Sequence, residues 1–268
     1  MKYFIVSDIH GHYKELKQAL VDAHFNPYEE RHRLIVLGDM FDRGGESWKV
    51  YKFIKNLCDK GYAYVVRGNH EKFLIDYLDG TSINPFNYLN NGTKETLDDF
   101  LRSTSAFEFW CIEHEEVPTF GAFARWLKEA REQINKDYPE LLSWLKSLPR
   151  YWENDKYIGV HGGIDTKAAD WHEPHCVRYN LTDWDALEFD DGSFFSKPIL
   201  NTDKTVIIGH FGTGHLRSMY GLGDKDDFSI LRRDDGRVIA IDGCVAKTKN
   251  VNVLTVSDNE DDFGEDTI

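Results

Sequence analysis

The stretch YAYVVRGNHEKF, residues 62–73, decides how the chain is read: an apolar run stops at Val66, and Arg67, Asn69 and His70 follow before a new apolar period begins. A short apolar run flanked by polar turn residues fits a strand buried on both faces. The polar knot behind it is either a solvated turn or a set of side chains delivered to a shared site. Working outward, four other runs end the same way. Tyr3–Val6 precedes Ser7-Asp8-Ile9-His10-Gly11, and Leu34–Leu37 precedes Gly38-Asp39-Met40-Phe41-Asp42-Arg43-Gly44. Tyr157–Val160 stops at His161-Gly162-Gly163, and Val206–Ile208 stops at Gly209-His210.

Between the first three runs lie helical periods. Tyr13–His24 aligns Leu16, Leu20 and Ala23, and Glu46–Lys60 aligns Val50, Phe53, Ile54 and Leu57 before Gly61. The order β-α-β-α-β implies a parallel sheet, in which ligands collect beyond the carboxyl ends of the strands. All five polar clusters fall at such ends. Residues 71–152 read as a helical insertion rich in aromatics, broken near Pro85, Pro118 and Pro139 and placed to cap the site. Its Phe107, Phe109, Trp110, Phe123, Trp126 and Trp144 read as a small core of its own. Thr205–Ile208, Phe228–Leu231, Val238–Ile241 and Val251–Val256 read as strands of a second sheet packed on the first, with a hairpin turn at Asp234–Arg237. This gives a catalytic domain over residues 1–256 and an acidic tail over 257–268.

A chain of 268 residues, 41% hydrophobic, is long enough for one large core, and its net charge of -14 disfavours nucleic acid and anionic membranes as partners. Cys58, Cys111, Cys176 and Cys244 lack the spacing of a zinc site or a disulfide framework and read as reduced thiols. The first apolar run is too short for a signal peptide, so a cytoplasmic location is expected.

The strand ends supply Asp8, His10, Asp39, Asn69, His161 and His210, a carboxylate, amide and imidazole set suited to two cations of the Mn, Fe or Zn kind. A pair of such cations acidifies a water between them and neutralises charge in an in-line displacement at phosphorus. Arg43 and Arg67 suit the phosphate oxygens, His70 suits protonation of the leaving group, and Asp42 suits orientation of that imidazole. Gly68 reads as the residue for the tight turn among these groups. Helix capping accounts for any one Asp or Asn alone, and ion pairing for either arginine. His12, His172, His175 and His215 complete no ligand pattern.

The ordered set SDIHG, GDMFDRG, RGNHE, HGG and IIGH, spanning about residues 3–243, resembles the calcineurin-like metallophosphoesterases, and within them the phosphoprotein phosphatase branch with its bacterial and phage members. The resemblance implies an α/β fold of two mixed β-sheets packed as a sandwich and flanked by helices. It implies that Asp8 and His10 bind one metal, Asp39 bridges, and Asn69, His161 and His210 complete the second. It further implies His70 as general acid with Asp42, and Arg43 and Arg67 on phosphate, with Arg178 a looser candidate. Ser7 stands where the branch has Gly, and Gly209-His210-Phe211 lacks the second histidine of the Gly-His-x-His members. The expected activity is Mn-dependent hydrolysis of phosphate monoesters, on a phosphorylated protein or a small phosphoester. The alternatives are symmetrical dinucleoside tetraphosphate hydrolysis and a scaffold without catalysis.

Overall fold

In β1 (Lys2–Val6) successive side chains enter two different cores, Phe4 and Val6 on one face and Ile5 on the other. Strand side chains alternate faces, so an unbroken apolar run belongs to a strand covered on both sides. The computed structural model describes residues 1–80, 85–173, 176–178 and 193–258. After β1 come α1 (Tyr13–Asp22), β2 (His32–Val36), α2 (Ser47–Asp59) and β3 (Ala63–Val65). A helical stretch follows: α3 (Asn69–Leu78), α4 (Pro85–Asn90), α5 (Thr93–Phe100), α6 (Ala106–Glu113), α7 (Phe120–Asp137) and α8 (Leu141–Ser147). The chain then forms β4 (Tyr151–Glu153), β5 (Tyr157–Val160), the short pair β6 (Gly163–Ile164) and β7 (Val177–Arg178), β8 (Thr205–Ile208) and α9 (Thr213–Tyr220). It ends with β9 (Leu231–Arg232), β10 (Val238–Ala240), α10 (Val245–Thr248) and β11 (Leu254–Ser257).

Two mixed sheets result. The first runs β11-β1-β2-β3, with β1, β2 and β3 parallel and β11 antiparallel to β1. The second runs β4-β5-β8-β10-β9, with a parallel centre and antiparallel edges. Ile5, Ile35 and Leu37 from one sheet meet Ile207 and Ile239 from the other in a shared core. The opposite faces carry Phe4, Val6, Leu34 and Val36 under the helices, and Val206, Ile208 and Val238 under Phe194, Phe195 and Leu216. The architecture is the expected α/β sandwich of two mixed sheets flanked by helices.

Four expectations about elements change. The run Val251–Val256 does not join the second sheet: its strand is β11, which pairs with β1 in the first sheet, and it starts only at Leu254. Phe228–Leu231 is not a strand up to Leu231, because Asn252 takes the carbonyl of Phe228 and the Arg217 guanidinium those of Ser229 and Ile230 that a neighbouring strand would need. The aromatic group is not a separate core: Phe107, Phe123 and Trp126 pack together but join the core under the first sheet, Trp144 lies against Tyr51 of α2, and Phe109 is 55% exposed. The tail expected over 257–268 begins later, because Ser257 belongs to β11 and Asp258 pairs with the Met1 amine; residues from 259 onward lie outside the described residues, and no helix among the described residues is long and apolar enough to cross a membrane.

Candidate active site

The ends of β1, β2, β3, β5 and β8 converge. The loop after β1 runs beside the loop after β2, with Asp8 N–H donating to Gly38 O, His10 N–H to Asp39 O and Gly11 N–H to Met40 O. Asp8, His10, Asp39, Asp42, Arg43 and His210 all take left-handed backbone, six of the eleven non-glycine residues that do so among the described residues. Each such residue costs about 1–2 kcal/mol. Strain concentrated this way is the mark of a functional constellation.

Asp39 stands at the centre. Its Oδ2 lies 3.8 Å from His10 Nε2 and 3.3 Å from His161 Nε2. His161 Nε2 is also 3.0 Å from Asn69 Oδ1 and 3.1 Å from His210 Nδ1. His10 Nε2 lies 3.9 Å from Asp8 Oδ1, and Asp8 Oδ2 accepts the backbone N–H of His210. Two groups of donor atoms therefore share one carboxylate: His10, Asp39 and His70 on one side, and Asp39, His161 and His210 on the other. The first group differs from the set implied by the resemblance in holding His70 where Asp8 was expected.

The donors fit cations. Carbonyl oxygens only accept, so the contacts of His10 Nδ1 with Phe41 O (2.9 Å) and His161 Nδ1 with Leu37 O (2.7 Å) fix a proton on each Nδ1. Each Nε2 is left facing the cluster, the arrangement in which the outer nitrogen orients a metal-binding imidazole. Burial and the neighbouring charges on His70 and Arg43 hold His10 well below the usual imidazole value. Burial would lower His161 too, but the Asp39 carboxylate outweighs it and pushes His161 up to about 10. Burial and the charge on His161 pull His210 down to about 3. Asp39 is held well below the carboxylate range because the imidazoles around it outweigh its burial. The Asp39 carboxylate with the ε nitrogens of His10 and His161 turned toward it is an oxygen and imidazole set whose chemistry suits cations of the Mn, Fe or Zn kind.

Beside this cluster His70 Nδ1 lies 2.6 Å from Asp42 Oδ2. Burial opposes the charged imidazole, yet the carboxylates of Asp39 and Asp42 raise it above its ordinary value. Arg43 bridges the mouth, with Nη1 2.8 Å from His10 Nε2 and Nη2 3.3 Å from His70 Nε2. Arg67 bonds outside the cluster through Nη2, while its buried Nε has no protein partner among the described residues. Its Nη2 donates to Lys146 O at 2.5 Å and Leu148 O at 3.1 Å, so the guanidinium serves the carbonyls at the end of α8, where positive charge is favoured. Arg178 lies on β7, paired with Gly163, and its side chain falls outside the described residues, as does His175. His12 pairs with Glu15, His172 stacks on Trp171, and His215 is exposed.

Gly68 has φ −99° and ψ −179°, extended backbone that any residue adopts. The expected turn role is wrong. A Cβ there would overlap Asp39 Oδ1 and lie 2.7 Å from Asp39 N, so the glycine exists for close approach. Sequence reasoning also missed Glu71, whose buried carboxylate accepts N–H groups from Asp39, Met40 and Gly68 and pins the β2 and β3 loops together. Burial and the Asp39 charge push Glu71 up to about 7. Its place in RGNHE was the available signal. Asp242, buried behind Asp8 and raised well above the carboxylate range by burial and by Asp8, was missed as well.

Comparison with known proteins agrees with this geometry. The sequence profile described as calcineurin-like phosphoesterase matches residues 1–241. A Vibrio parahaemolyticus protein named bis(5'-nucleosyl)-tetraphosphatase, symmetrical, is 29% identical over 61% of this chain and 45% of its own length. One of the same name from Buchnera aphidicola is 26% identical over 75% of this chain and 58% of its own. The chain thus spans about half the length of these relatives. Among solved structures, one titled a putative diadenosine tetraphosphatase superposes with TM-score 0.53 at 17% identity, covering 96% of this chain and 95% of the other. A cold-active protein-tyrosine phosphatase from a Shewanella species superposes with TM-score 0.52 at 16% identity, covering 96% and 76%. At these identities the superpositions speak for the fold.

Proposed function

The chain belongs to the calcineurin-like phosphoesterases, and from that premise we propose that it hydrolyses dinucleoside tetraphosphates symmetrically, by attack of water at an inner phosphorus. The reading is carried by the relatives of that name, 29% and 26% identical over 61% and 75% of this chain. In it, Asp8 and His10 would hold one cation, Asn69, His161 and His210 would hold the other, and Asp39 would serve both. Cations there would supply acidity to the attacking water and would neutralise phosphoryl charge. Arg43, exposed at the mouth, grips a phosphate oxygen through its planar fork. His70, oriented through Nδ1 by Asp42, would give a proton to the departing oxygen.

A second reading, hydrolysis of serine or threonine phosphomonoesters, draws on the His70–Asp42 pair at 2.6 Å. An alkoxide is a far more basic leaving group than a nucleoside diphosphate and gains more from such an acid. The test is a panel with Mn-loaded protein: diadenosine tetraphosphate, a phosphoserine peptide and p-nitrophenyl phosphate. The proposal expects the highest kcat/KM on the tetraphosphate, with ADP as the sole nucleotide product. A tenfold preference for the phosphopeptide favours the second reading, and no turnover on any substrate favours a scaffold.

A further inference from the structure

The carboxylate of Asp42 has more partners than His70. Its Oδ2 receives His70 Nδ1–H and, at 3.3 Å, the Thr93 hydroxyl, while its Oδ1 receives the Thr96 hydroxyl at 2.7 Å. Thr96 Oγ1 in turn accepts the Asp42 N–H at 2.8 Å and lies 3.1 Å from Ser47 Oγ. A hydroxyl has one proton and two lone pairs. With the proton committed to Asp42 and one lone pair to its N–H, Ser47 must be the donor in the remaining contact, and Thr96 is fully satisfied. Ser47, Thr93 and Thr96 are buried, so no water competes.

These threonines open α5, but they do not cap it. The capping position is Gly92, with no side-chain bond to the helix. Gly92 packs so closely that a Cβ would overlap Arg43 N, and its carbonyl faces the Arg43 N–H. The helix start is therefore seated against the left-handed Asp42–Arg43 turn, with φ of 72° and 66°. We infer that Thr96, assisted by Thr93, is a positioning residue for the His70–Asp42 pair, so that the first turn of α5 belongs to the proton-donating machinery. The inference rests on the reading of His70 as general acid.

The test compares Thr96→Val, Thr96→Ser, His70→Asn and the Thr96→Val/His70→Asn double variant, all Mn-loaded, on phosphoserine and on p-nitrophenyl phosphate. The expected result for Thr96→Val is a kcat loss of about 10- to 100-fold on phosphoserine, the scale of one hydrogen bond to a charged group, and a much smaller loss on the aryl ester. Thr96→Ser restores phosphoserine turnover, and the double variant is no slower than His70→Asn. Equal losses on both esters, or losses that multiply in the double variant, overturn the inference and make Thr96 a structural stitch. If Thr96→Val does not fold, Thr93→Val, which removes only the 3.3 Å bond, must show the same leaving-group dependence on a smaller scale. A flat pattern there overturns the inference equally. If His70→Asn itself loses equally on both esters, the general-acid reading falls and takes this inference with it.

Discussion

Gly68→Ala is the sharpest small perturbation. Because Gly68 already has extended backbone, alanine meets no conformational penalty and the whole effect is steric. The new methyl would overlap Asp39 Oδ1 and lie 2.7 Å from Asp39 N and 2.9 Å from Glu71 Oε2, where ordinary contact begins at 3.4 Å. Asp39 cannot rotate away freely, because Oδ1 accepts the His70 N–H at 3.0 Å and Oδ2 faces His10 and His161. The carboxylate at the centre of the site must move by roughly 1 Å, at a stability cost of about 1–3 kcal/mol for overpacking. A displacement of that size reduces turnover by about 100-fold. The assay measures bound metal after dialysis, kcat on the best substrate, and urea unfolding. Gly121→Ala is the control: it lies in α7 with its nearest contact at 3.7 Å, and alanine there stabilises by about 0.5–1 kcal/mol. Full metal content with kcat within about threefold of the parent would refute the reasoning.

Other outcomes follow from the same geometry. His70→Asn retains metal and loses about 100- to 10,000-fold on alkyl phosphates, with less on aryl esters; full activity on a phosphoserine peptide would remove the general-acid role. Arg67→Ala lowers unfolding free energy by about 1.5–3 kcal/mol through the lost bonds to Lys146 and Leu148 and leaves KM nearly unchanged; a tenfold rise in KM would return Arg67 to the phosphate. Dialysis against a chelator abolishes hydrolysis and Mn restores it, whereas persistent activity in metal-free protein would contradict a cation centre at Asp39.

Much of this was legible in sequence because chemistry and burial coincide at strand ends. Asp8, Asp39 and His161 follow apolar runs, and the runs are unbroken because both faces are covered. What was not legible depends on partners distant in sequence. Thr96 meets Asp42 across 54 residues, and nothing in its neighbourhood marks it. Membership of β11 in the first sheet depends on its pairing with β1 at the other end of the chain. The strand expected over Phe228–Leu231 failed because side chains take its carbonyls, Asn252 that of Phe228 and Arg217 those of Ser229 and Ile230. Arg67 has the right chemistry for phosphate, and the bonds of its Nη2 to the carbonyls at the end of α8 join residues 79 and 81 positions apart. Gly68 suggested a turn, while its real constraint is the nearness of Asp39.

The claim on which the rest depends is that the strand ends build one centre for two cations around Asp39. Anomalous diffraction from Mn-soaked crystals tests it directly. Two peaks roughly 3.5–4 Å apart flanking the Asp39 carboxylate are the expected result. A single peak, or Mn bound elsewhere with Asp39 uncontacted, would contradict it.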